Sequence, residues 1–135
     1  MPNHAFGTDV EFDSNKLLNM GEENIAQSAV ISPPSFAVNQ NNYNPTSLQT
    51  ASVLRLTATA NSNITGITAP DTARWKKLII FNISASNITL TDADAGSLAA
   101  NRFNFNGNKI LNENEGFVLL YDQTSQRWRA FGLSN

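Results

Sequence analysis

The chain has 135 residues, 41% of them hydrophobic and 15% charged, with a formal net charge of −2, a length that suits one domain with some chain left for an arm or tail. Such a balance gives no basic field for nucleic acid or an anionic membrane, no segment approaches the ~20 apolar residues of a bilayer span, and the absence of cysteine removes disulfides, thiolate nucleophiles and cysteine-based zinc sites. The charged share is well below the roughly 25% usual in soluble domains, so polarity rests on uncharged groups, above all 19 asparagines, which favour tight turns over long helices.

In chain order, the opening "MPNHAFGTDVEFDSNK" lacks a basic stretch followed by an apolar run, and no export leader is expected from it. "NKLLNMGEEN" holds at most one helical turn, stopped at Gly21, too short to stand alone in water. Pro33 and Pro34 remove ladder donors and bias their neighbours to extended backbone. Residues 1–50 therefore read as an extended N-terminal arm. Its apolar anchors on a partner surface would be Phe6, Val10, Phe12, Leu17, Leu18 and Phe36, each contributing on the order of 1.5–3 kcal/mol if fully buried.

From residue 51 onward the period becomes two, which predicts strands. In "SVLRLTATA", Val53 and Arg55 alternate with Leu54, Leu56 and Ala58. "RWKKLIIFNIS" is apolar on both faces around 78–81, as expected of a central strand covered on two sides. "SNITLTD" sets Ile88 and Leu90 against Asn87, Thr89 and Thr91, and "NRFNFNG" alternates Phe103 and Phe105 with Asn. Finally "EGFVLLYD" and "RWRAFG" flank the turn "QTSQ", which predicts a hairpin. On it Trp128 and Ala130 share one face and Arg127, Arg129 and Phe131 the other, while Phe117, Leu119 and Tyr121 oppose Val118 and Leu120. Together these short strands predict an all-β fold, an antiparallel β-sandwich or jelly-roll-like domain over residues 51–135.

The run "ITGITAP…RWKKLIIFNISASNITLTDADAGSLAANRFNFNG…ILNENEGFVLLYDQTSQRWRAF", residues 64–131, resembles the β-sandwich module of structural and fibre proteins of tailed bacteriophages. The likeness lies in the order "IIFNIS", "NITL", "AANRF" and a last hairpin ending "RWR". It implies a non-enzymatic virion component, a homotrimer that contacts other virion proteins of the capsid or portal-tail. A capsid decoration or head-fibre protein is the first expectation. A tail-associated fibre or receptor-binding module for a host glycan is the second, with Trp75, Tyr121, Trp128, Arg127 and Arg129 as glycan or subunit-interface contacts.

Candidates for chemistry are few. His4 is the single histidine, which excludes a His-centred triad within the β domain or a cluster of His ligands. "TDADAG" begins like a calcium loop but lacks the later oxygen ligands at the required spacing, so a plain turn is expected. Glu113 and Glu115, two apart before Gly116, read as a solvated connection rather than a glycosidase pair. Three Asn-Ile-Ser/Thr sequons at Asn63, Asn82 and Asn87 fit strand edges. No catalytic residue, metal or cofactor is therefore expected.

Overall fold

The computed structural model describes residues 29–131, in which short strands form two mixed sheets. The five-stranded sheet has the order β1-β2-β4-β7-β8, from β1 (Ala29–Ile31), β2 (Ala51–Leu56), β4 (Lys76–Asn82), β7 (Gly116–Asp122) and β8 (Arg127–Phe131). The three-stranded sheet has the order β3-β5-β6, from β3 (Ser62–Ile64), β5 (Ile88–Leu90) and β6 (Lys109–Leu111). Two short 3-10 turns, Leu48–Thr50 and Ala99–Asn101, are the helical pieces among the described residues. The fold is all-β, as the period-two text predicts.

The expectation of purely antiparallel pairing is corrected. β1 with β2, β2 with β4, and β3 with β5 are parallel, and only β4–β7, β7–β8 and β5–β6 are antiparallel. Isolated parallel bridges at Phe36–Ala58, Gln40–Ile64 and Tyr43–Ile67 continue the same pattern. From residue 29 to about 90 the chain thus winds in successive turns, each lying parallel on the next, before the last three strands fold back.

Asparagine explains how such turns hold together. The Asn39 side-chain carbonyl accepts the N–H of Asn63, 24 residues on, and that of Asn61 accepts the N–H of Asn87, 26 residues on, both at 2.9 Å. At these corners a side chain stands in for the strand backbone, satisfying donors that a bend would otherwise orphan. The Asn82 amide does the same between sheets, donating to the carbonyls of Ser86 (2.8 Å) and Leu111 (3.0 Å) and accepting from Ser84. The richness in Asn is thus a consequence of the winding.

One core joins the two sheets. Leu54, Leu56, Leu78, Ile80 and Leu119 from the larger sheet and Ile64, Ile88, Leu90 and Leu111 from the smaller are buried in the same cluster. Phe36, Tyr43 and Leu48 belong to it too, and β1 pairs with β2. Residues 29–50, expected as part of the arm, are therefore built into the body. The prolines at 33 and 34 turn the chain into this layer instead of detaching it, and the part of the arm in residues 1–28 lies outside the described residues. "NRFNFNG" forms bridges at Arg102 and Phe103 rather than a strand, yet Phe103 is fully buried and its ring stacks on Phe105 at 4.9 Å.

Candidate functional site

The hairpin reads as the alternation predicts. Trp128 and Tyr121 point into the core and their rings meet edge-on, centroids 5.0 Å apart. The indole N–H donates to the Ile67 carbonyl at 2.8 Å and the Tyr121 hydroxyl to the Ala100 carbonyl at 2.9 Å, so both polar tips are satisfied internally. Neither ring is a surface for sugar or for a neighbouring subunit, and that expectation is corrected: burial against Ile67 and the Ala99–Asn101 turn absorbs them. Burial likewise raises the Tyr121 hydroxyl pKa, and that of Tyr43 goes up to about 12.

Phe36 is corrected in the same way. It is 8% exposed and packs edge-on against Tyr43, with ring centroids 5.7 Å apart, so it anchors its own body. Phe6, Val10, Phe12, Leu17 and Leu18 lie outside the described residues.

The opposite face of the five-stranded sheet is what the core does not use. Strand register sets Val30 beside Val53, Val53 beside Ile79, Ile79 beside Val118 and Val118 beside Phe131. Every strand thus contributes an aliphatic or aromatic side chain to one straight row. Its ends are open, Val30 at 52% and Phe131 at 49% exposure, Ile79 and Val118 are half-buried, and Val53 between Val30 and Ile79 is buried. Neighbouring positions add Leu120 beside Lys77 and Arg129, and Phe81 beside Arg55. The Arg55 guanidinium lies 6.0 Å from the Phe81 ring centroid, within cation–π range.

Cations border this row. Arg129 pairs with Asp122 at 2.7 Å, and that hydrogen bond, helped by Ser125, holds the Asp122 carboxyl down at about 2. Arg127, the residue opposite Asp122, donates to the Gln126 carbonyl. Arg127 and Arg129 therefore sit at the rim of an apolar face, while Asp122 spans the hairpin. Trp75 precedes β4 at a position of the same parity as Lys77 and Ile79 and is 56% exposed. Beside it, Lys76 donates to the Ala51 carbonyl at 2.7 Å, and its pKa is lowered by burial and then by Arg74.

The remaining candidates serve turns. The Asp92 carboxylate accepts the N–H groups of Phe105 (2.8 Å) and Gly107 (3.2 Å), and Asp94 accepts that of Gly96 (2.7 Å). Glu115 accepts both nitrogens of Asn112 in the turn before β7, and Glu113 is exposed there. Among the described residues no group of three or more His, Cys, Asp or Glu is placed to hold a metal ion, and no helix is long and apolar enough to cross a membrane. A shallow cleft of about 500 Å³ lies over Asn106, Asn108, Lys109, Asn112, Glu115 and Phe117.

No family model, curated protein or solved structure matches the chain.

The apolar row is the feature that sequence reading missed. Its members are each visible as outward positions of apolar strands, but their alignment across five strands depends on the parallel register of β1, β2 and β4. The signal that hinted at it was "KLIIF", too apolar on both faces for a strand with one side in water.

Proposed function

We propose that this chain is a non-enzymatic structural protein of a tailed-bacteriophage virion, a β-sandwich-type body with an N-terminal arm that fixes it to neighbouring virion proteins. A capsid decoration or head-fibre role is the first form of this reading, with the body self-associating as a homotrimer. The observation that carries it is the row Val30–Val53–Ile79–Val118–Phe131. An apolar stripe crossing an entire sheet and bordered by Arg and Lys has the composition of an interface centre and rim. The likeness of residues 64–131 to phage virion modules supplies the setting.

Light scattering on the purified full chain tests the contact. The wild type is expected to be a trimer, and Val118→Asp, which puts a charge in the middle of the row without entering the core, is expected to give a folded monomer. A wild-type monomer at tens of micromolar sinks the reading. Electron microscopy of the particle with this chain labelled then separates capsid from tail.

One observation favours a second form, a tail-associated module that binds a host glycan: Trp75 is exposed between Arg74 and Lys76, and an open indole stacks well on a sugar ring. Trp75→Ala would then abolish adsorption to host cells. Adsorption unchanged by that variant removes this form.

A further inference from the structure

Asparagines at the corners of the winding are held by hydrogen bonds, and Asn106 stands outside that arrangement. It lies in the bend between Phe105 and β6, is exposed, and its amide makes no hydrogen bond among the described residues. The residue after it is Gly107, and this is the single Asn-Gly pair in the chain. Such a pair is reactive. A backbone nitrogen that follows asparagine can attack the side-chain Cγ and close a five-membered imide, and glycine at that place puts no Cβ in the way.

The local geometry leaves this path open. Gly107 has a φ of +86°, a conformation that side chains rarely adopt. Apart from its chain neighbours, no heavy atom lies within 4 Å of where its Cβ would stand. The Asp92 carboxylate sits at the nucleophile, accepting the Gly107 N–H at 3.2 Å and the Phe105 N–H at 2.8 Å. It therefore grips the chain on either side of Asn106 and offers an acceptor for the proton that must leave.

Asn61, which also precedes a small residue, shows the opposite case. The Ser62 N–H donates to the Asn87 carbonyl at 3.1 Å, and the Asn61 side-chain carbonyl accepts the Asn87 N–H at 2.9 Å. Ser62 is buried as well. Nucleophile and electrophile are both held there by the ladder.

We infer that Asn106 is a site of self-catalysed deamidation. The Gly107 nitrogen gives its proton to Asp92 and bonds to Cγ of Asn106, and the side-chain nitrogen takes that proton and leaves as ammonia. Water then opens the succinimide at either carbonyl. Opening at Cγ leaves aspartate, and opening at the backbone carbonyl leaves isoaspartate, with the main chain running through the former side chain. The sum is amide plus water giving acid plus ammonia, with no change of oxidation state. Either product adds a negative charge to the cleft that Asn106 lines with Lys109 and Glu115. Isoaspartate also lengthens the main chain by one carbon just before β6.

The test incubates the full-length protein in warm, mildly alkaline buffer and follows two tryptic peptides by mass spectrometry, 103–109 around Asn106 and 56–74 around Asn61. Fragmentation that distinguishes isoaspartate from aspartate places the change. Peptide 103–109 is expected to convert at Asn106 within about tenfold of the rate of the same peptide free in solution, while 56–74 stays unchanged until the chain is unfolded in urea. Asn106→Gln, which would need a larger ring, abolishes the conversion. Asp92→Asn keeps a side-chain oxygen for the turn but removes the base, and slows the conversion about tenfold or more. An Asn106 amide that outlasts the free peptide by more than this margin means that the folded turn blocks ring closure, and the inference falls. It falls equally if Asn61 converts as fast as Asn106 in the folded chain. Conversion in Asp92→Asn at wild-type speed or above overturns the part given to Asp92.

Discussion

Both tyrosines of the chain are internal, and their hydroxyl groups resist ionisation for the same reason. Moving a phenolate into an apolar environment costs solvation, so burial favours the neutral form. Tyr43 goes from an ordinary 10.0 to about 12, and Tyr121 is raised as well. The sign of the linkage follows: the raised groups favour folding fully below pH 10, and that contribution is lost as pH rises toward about 12. Absorbance of phenolate near 295 nm should therefore appear later in the folded protein than in the chain unfolded in denaturant. Coincident titration curves would mean that at least Tyr43 is open to water. Asp122 has the opposite sign. Its depressed carboxyl favours folding above the usual 3.8 and loses that contribution as pH falls toward about 2.

At the scale of strands and turns, close approach of backbones fixes where glycine is needed. A Cβ on Gly66 would stand 2.5 Å from the Asn101 carbonyl oxygen and 2.7 Å from the Ser97 side chain, because Gly66 bridges to Arg102 across the bottom of the second turn. Gly66→Ala should lower the unfolding free energy by about 1–3 kcal/mol, read as a reduced urea midpoint at unchanged slope. An unaltered midpoint would show that the 97–101 segment yields freely.

Much at this scale was legible. β2, β4, β5 and the β7–β8 hairpin follow from alternation, and the faces of Trp128, Ala130, Arg127, Arg129 and Phe131 fall as the period of two requires. Pairing was less legible, because period two says which face a residue takes and nothing about which strand lies next. "SNIT" occurs at 62–65 and again at 86–89, a spacing of 24, yet the ladder pairs Ser62 with Ile88, two residues further on. Even an internal repeat would thus have misplaced the register. β1 and Phe36 were hidden by Pro33 and Pro34, whose local effect on backbone is strong but does not decide whether the segment packs.

For the whole molecule, the two edges of the large sheet differ. β8 is covered on its free side by the chain at 102–104, through the N–H of Trp128 to the Arg102 carbonyl (3.0 Å) and the N–H of Asn104 to the Trp128 carbonyl (2.8 Å). β1 is the other end of the strand order and pairs, among the described residues, only with β2. Val30 of the apolar row lies on this edge strand, at the opposite end of the strand order from Arg127 and Arg129.

The winding of the first half also fixes an order in time. The hairpin closes through four residues between Asp122 and Arg127, whereas each parallel pairing must first close a loop some twenty residues long, at a greater entropic cost. The β7–β8 hairpin is accordingly the early nucleus, and β1, held by one partner strand among the described residues, is last on and first off. Amide exchange should be fastest at Ala29–Ile31 and slowest in β4, which has a partner on both sides; equal protection of the two would contradict this sequence of events. The layer that carries β1 is then the one that loosens most readily, so the parallel turns are shed from the N-terminal side of the described body while the hairpin still holds.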